Sequence, residues 1–163
     1  MALRLNIDSW RWNGVPFFIR AGKCLPETVT EVLVTLKRPP LTNLSNDKGN
    51  YLRFRLSPDL NIGLGASVKV PGEEMIGART ELSLIAESRD EMSAYERLLG
   101  DAIEGDPTLF ARQVAIEAAW AVVDPALDDE RSVIPYFVGS WGPNQADDVV
   151  ADVGGWVNPE MKP

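Results

Sequence analysis

The sequence predicts an α+β fold: a large, mainly antiparallel β-sheet with helices packed on one of its faces. Two observations predict it. Through the first 90 residues apolar and polar side chains alternate with a period of two, and β-branched residues are frequent. From Ser93 onward the apolar spacing lengthens to that of a helix, about 3.6 residues. Strands gathered ahead of helices, instead of alternating with them, argue against a parallel α/β arrangement. At 163 residues the chain has the size of one domain, and no internal repeat or low-complexity segment divides it.

The elements follow in order. "RLNIDSWRW" reads as a first strand, and the Asn13-Gly14 turn signal leads to a second, "VPFFIR". "VTEVLVTLK" is a third, stopped by Pro39 and Pro40, which cannot donate to a ladder. The polar stretch "TNLSNDKGN" is a loop. "YLRFRLS" then sets Tyr51, Arg53 and Arg55 on one face and Leu52, Phe54 and Leu56 on the other. "LNIGLGASVKV" and "TELSLIAES" complete the strands, with "PGEEMIG" as the loop between them. Ser93 and Glu96 form a capping box, followed by an apolar stripe of Tyr95, Leu98, Leu99, Ala102 and Ile103. A second helix is expected from Asp106 as N-cap, through Pro107, to a stop at Pro125. A short third helix is expected between Pro143 and Gly154-Gly155. Trp10, Trp12 and Phe17 read as core aromatics, with cover of a sheet edge or a partner face as the alternative.

Composition removes several function classes. The formal net charge is -8, and it is unevenly spread: residues 1–60 hold 9 Lys and Arg against 5 Asp and Glu. An acidic chain is a poor partner for nucleic acid, although a basic segment suits a small anion. No apolar run reaches the ~18 residues that cross a bilayer, and the start, "MALRLNIDSW", does not have the form of a secretory signal. With a single cysteine, Cys24, the cytoplasm is the expected compartment. The chain has no histidine, which removes a Ser-His-Asp triad, a histidine metal site and a histidine base. "GLGAS" lacks both the spacing and the following helix of a phosphate loop, and reads as a bulge or a strained strand.

Lys23 is the candidate that remains. Strand-like sequence delivers it, Gly22 permits close backbone approach or positive φ, and Pro26 keeps the loop stiff. A lysine held this way suits a phosphate or a sugar hydroxyl, as a compact charge with three donors. The same residues also fit a solvated lysine at a strand end.

Longer blocks carry a resemblance. "IDSWRWNGVPFFIRAGKCLP" is similar to the segment that opens the large C-terminal domain of glucose-6-phosphate dehydrogenases. "SAYERLLGDAIEGDPTLFAR" and "AAWAVVDP" resemble that family's later helices, and "YFVGSWGP" and "GGWVNP" its closing motifs. The blocks stand in the family's order across nearly the whole chain.

The resemblance implies an enzyme that oxidises glucose 6-phosphate at C1 to 6-phosphogluconolactone, with NADP as oxidant, in the pentose phosphate pathway. It implies that residues 1–163 are a single substrate-side and oligomerisation domain, and that the dinucleotide-binding domain and the catalytic histidine lie in sequence absent here. On this reading the chain holds no catalytic residue, cofactor site or metal, and is inactive by itself. Lys23 matches the substrate-contacting lysine of the family's R-x-G-K motif. Five positions on, where the family often has a second basic residue, this chain has Thr28. Before the proline of "LSPD", a frequent substrate neighbour, it has Ser57. Animal members bind a second, structural NADP with basic residues that correspond here to Val29 and Leu33, so no such site is expected. Arg20 is expected to support the sheet or a carboxylate instead of the ligand. The implied partners are glucose 6-phosphate, the enzyme's own N-terminal domain, and a second copy through the sheet. The alternative function is a stand-alone association or sugar-phosphate-binding module without catalysis.

Overall fold

The computed structural model describes residues 1–38, 49–72, 74–85, 92–127 and 133–159. It divides into two compact units, Met1–Glu87 with Pro135–Pro163, and Ser88–Ile134. The α+β class and the antiparallel pairing hold, with the strands distributed over a two-stranded and a four-stranded sheet.

In the first unit β1 (Ala2–Asn6) pairs with β2 (Pro16–Arg20), Leu3 opposite Ile19 and Leu5 opposite Phe17. The first strand therefore begins earlier than its sequence suggested and ends before the tryptophans. Residues 9–15 form turns instead, with the Trp12 amide donating to the Ser9 carbonyl (3.1 Å) and the Val15 amide to the Trp12 carbonyl (3.0 Å). Gly14, at φ 74°, supplies the left-handed step that reverses the chain. Trp10 is fully exposed and is no core residue, whereas Trp12 meets Phe17 edge-on at 5.2 Å. Its alternation with Trp12 imitates a strand, but the local turn bonds take the backbone groups that a ladder would need.

β3 (Thr30–Thr35), β4 (Tyr51–Ser57), β5 (Asn61–Lys69) and β6 (Gly77–Ile85) form an antiparallel meander in chain order. The proline stop at Pro39 and Pro40, most of the 42–50 loop and the end of "TELSLIAES" lie outside the described residues. Register sorts the side chains onto two faces. Val32 faces Phe54 and Val34 faces Leu52; Leu52 and Phe54 face Leu64 and Ile62, which face Leu82 and Leu84. The opposite face carries Glu31, Tyr51, Arg53, Arg55, Gly63, Gly65 and Glu81.

The segment after residue 134 completes this unit. A 3-10 helix, Asn144–Val153, starts after Pro143 and ends at Gly154 in the left-handed conformation. It lies against β1, where Arg4 pairs with Asp152 at 2.8 Å. Val150 of this helix is the one fully buried apolar side chain among the described residues.

In the second unit α1 spans Ala94–Glu104. Its start is the expected one, since the Ser93 hydroxyl accepts from the Glu96 amide (3.2 Å). Gly105 closes it at φ 75°. α2 spans Gln113–Leu127, starting later than Asp106. Asp106 caps a local turn instead, accepting from the Thr108 amide and hydroxyl, and these bonds pull its carboxyl below the usual range. Pro125 does not end α2, which continues to Leu127. A proline this close to the end of a helix removes one backbone bond and leaves little helix beyond it to disrupt.

Candidate functional site

The end of β2 and the loop behind it are fastened to the C-terminal segment of the same unit. The Arg20 guanidinium lies between Trp141 and Trp156, 4.6 and 4.7 Å from their ring centroids, and donates to the Asn158 side-chain carbonyl. Burial lowers its pKa, and nearby Asp147 opposes that shift. Arg20 thus holds the C-terminal segment through aromatic faces and an amide, where its sequence suggested the sheet or a carboxylate. Trp156 is itself oriented, its indole N–H donating to the Ala146 carbonyl (2.9 Å).

Three residues further on, the backbone of Lys23 is pinned while its side chain is exposed. The Tyr136 hydroxyl donates to the Lys23 carbonyl at 2.6 Å, and the Gly139 amide donates to the Cys24 carbonyl at 2.9 Å. Cys24 turns the chain in the left-handed region at φ 54°, a strained setting for a residue with a Cβ. Gly22 is explained by close approach: a Cβ there would stand 2.9 Å from the Tyr136 hydroxyl oxygen. Among the described residues the Lys23 ammonium has no ion-pair partner. It is a charge on a fixed base, available to an external anion.

Thr28 and Ser57 are exposed and stand at one end of the four-stranded sheet, since Ser57 pairs with Thr30. Lys23 stands on the loop that leads to it. Tyr136, Gly139, Trp141, Trp156 and Asn158 were not assigned to the site from sequence. The "YFVGSWGP" and "GGWVNP" blocks contain all five, but nothing local in those blocks says which distant loop they hold.

The polar face of the four-stranded sheet holds a second charged group. Glu31 accepts from Arg55 at 2.8 Å and lies 3.9 Å from Arg53. Arg53 also pairs with Glu81, which accepts from the Tyr51 hydroxyl at 2.5 Å. That hydrogen bond, with burial and the Glu81 charge behind it, raises the Tyr51 pKa. Arg79 covers the Tyr51 ring at 4.7 Å. These groups pair with one another, as members of a structural network do.

The two glycines of "GLGAS" serve this network. A Cβ on Gly63 would meet the Glu81 carboxylate at 2.8 Å, and one on Gly65 would meet the Tyr51 ring at 1.9 Å. The glycines lie within β5 and make room for side chains. Such an arrangement does not fit a dinucleotide, whose phosphates need bare backbone amides at the start of a helix. Among the described residues no cluster of three or more His, Cys, Asp or Glu could hold a metal ion. No helix of the described residues is long and apolar enough to cross a membrane.

A family model described as "Glucose-6-phosphate dehydrogenase, C-terminal domain" matches residues 1–157. The glucose-6-phosphate 1-dehydrogenase of Aggregatibacter actinomycetemcomitans is 42% identical over 163 residues, covering 94% of this chain and 33% of that protein. Glucose-6-phosphate 1-dehydrogenase 1 of Mycobacterium tuberculosis is 38% identical, covering 98% of this chain and 35% of that protein. The crystal structure of the Mycobacterium avium enzyme superposes with a TM-score of 0.83 at 38% identity, over 99% of this chain and 36% of that one. A glucose-6-phosphate dehydrogenase solved in complex with its substrate superposes with a TM-score of 0.76 at 29% identity, over 98% of this chain and 34% of that one. This chain spans about a third of the length of the relatives it matches.

Proposed function

The chain belongs to the family of glucose-6-phosphate dehydrogenase C-terminal domains, and on that premise we propose that it works within an NADP-dependent glucose-6-phosphate 1-dehydrogenase. Residues 1–163 serve there as one substrate-side and association domain. The enzyme converts glucose 6-phosphate to 6-phosphogluconolactone, the step that opens the pentose phosphate pathway. This chain supplies neither the base nor the cofactor site. Its contribution is Lys23, whose ammonium binds oxygen atoms of the sugar phosphate. The observation that carries this reading is the combination at Lys23 of a loop backbone hydrogen-bonded at two successive carbonyls and an exposed charge with no ion-pair partner among the described residues. Fixing the base of a charged side chain lowers the ordering cost of each bond it makes to a ligand.

Thr28 and Ser57 are neutral neighbours in this proposal, able to donate or accept a hydrogen bond at the edge of the site but carrying no charge. A second copy of the chain associates through the four-stranded sheet. Its support is the apolar ladder on β3–β6, where Val32, Leu64, Leu82 and Leu84 are 48, 46, 75 and 70% exposed. The exposed thiol of Cys24 suits the reducing cytoplasm.

Steady-state kinetics of the full-length enzyme tests the lysine. Lys23→Ala should lower kcat/KM for glucose 6-phosphate by about ten- to hundredfold, the loss of one charge-assisted hydrogen bond. KM for NADP should hold. A folded Lys23→Ala enzyme with unchanged kinetics would overturn the assignment. The chain by itself should reduce no NADP, and measurable turnover by it would contradict the division of labour.

A further inference from the structure

We propose that Tyr136 is a positioning residue for the sugar phosphate, acting through Lys23; the inference rests on the reading of Lys23 given above. Its hydroxyl donates to the Lys23 carbonyl at 2.6 Å and stands where a Cβ on Gly22 would come to 2.9 Å. One phenol thus bonds the Lys23 carbonyl and approaches Gly22 closely, from a point 113 positions away in the chain.

The direction of the lysine side chain follows from this. Its ammonium has no ion-pair partner among the described residues, so no described ion pair orients its tip. Orientation has to come from the Cα–Cβ bond, and therefore from the peptide planes on either side. The carbonyls of Lys23 and Cys24 are both taken, by Tyr136 and by the Gly139 amide, and Cys24 holds a left-handed turn within the loop. Without the phenol the Lys23 carbonyl exchanges its partner for water and the plane regains freedom. The substrate must then order the loop as it binds, which weakens binding without touching the reacting carbon.

The Tyr136 side chain is half-buried, and Tyr136→Phe keeps its ring while removing the hydroxyl. In the full-length enzyme this variant should raise KM for glucose 6-phosphate about three- to tenfold, with kcat and KM for NADP unchanged. Gly22→Ala, which pushes on the same hydroxyl from the loop side, should raise KM in the same way. In a Lys23→Ala background Tyr136→Phe should have no further effect on KM. A lower Tm with unchanged KM would make Tyr136 a structural residue only and overturn the inference. Additive effects of Tyr136→Phe and Lys23→Ala would overturn it as well, because the phenol would then act without the lysine. If Lys23→Ala raises KM and Tyr136→Phe does not, the inference falls and the function of Lys23 stands. If Lys23→Ala leaves kcat/KM unchanged, both fall together.

Discussion

The ring of Tyr51 occupies the space directly over Gly65, its cross-strand partner, so closely that a methyl group there would lie 1.9 Å from a ring carbon. Gly65→Ala must therefore displace the ring, and with it the hydroxyl that donates to Glu81. The expected cost is about 1–3 kcal/mol, typical of overpacking. Urea unfolding of the two proteins measures it, and a Gly65→Ala protein as stable as the parent would show that the ring is free to move.

Glu31 serves two arginines, and its side chain, like that of Arg55, is only 9% exposed. Glu31→Gln keeps the shape and removes the charge that Arg55 and Arg53 face. Breaking such a pair from one side costs about 3–5 kcal/mol where the pair is buried. The same unfolding assay should show a loss toward the lower end, because Arg53 retains Glu81.

Tyr51 also gives the sheet a pH dependence. Its pKa is raised above 10.0 in the folded chain, first by the bond to Glu81 and then by burial. A raised pKa stabilises the fold below the unfolded value and loses that contribution as pH climbs from there through the folded value. Between pH 9 and pH 11, taken as roughly the window around a tyrosine's ordinary pKa, the parent should lose more stability than Tyr51→Phe. At pH 7 the parent should be the more stable of the two, since the variant lacks the hydrogen bond. Equal pH slopes for the two proteins would remove Tyr51 as the titrating group.

Association through the apolar ladder predicts that Leu82→Asp is well folded and monomeric. Leu82 is 75% exposed in the chain alone, so the substitution costs little intramolecular packing. Light scattering at tens of micromolar concentration should give a dimer mass for the parent and a monomer mass for the variant. A monomeric, folded parent would refute the interface.

The parts of this structure that could be read from sequence are those whose causes are local. β4 runs over the expected residues because strict alternation puts leucine and phenylalanine on one side and arginine on the other. α1 starts where Ser93 and Glu96 place it, because a cap is a bond between near neighbours. The tryptophan strand failed because turn bonds between residues three apart compete locally with the alternation. The early start of α2 failed for a related reason, with Asp106 satisfied by Thr108 before a helix could form. Lys23 was legible as a lysine behind a stiff strand. Its supports were not, because no periodicity or spacing pairs residue 23 with residue 136.

The aromatic clamp on Arg20 bears on how the protein is made. Trp141, Trp156 and Asn158, which grip the arginine, belong to a segment translated long after β2. A nascent chain lacking them carries the whole lysine loop without the clamp on the strand that leads into it. Contacts this far apart in sequence are slow to form. Ligand competence on the ribosome should thus lag behind sheet formation, and a ribosome stalled before residue 141 should display a folded meander with a slack loop.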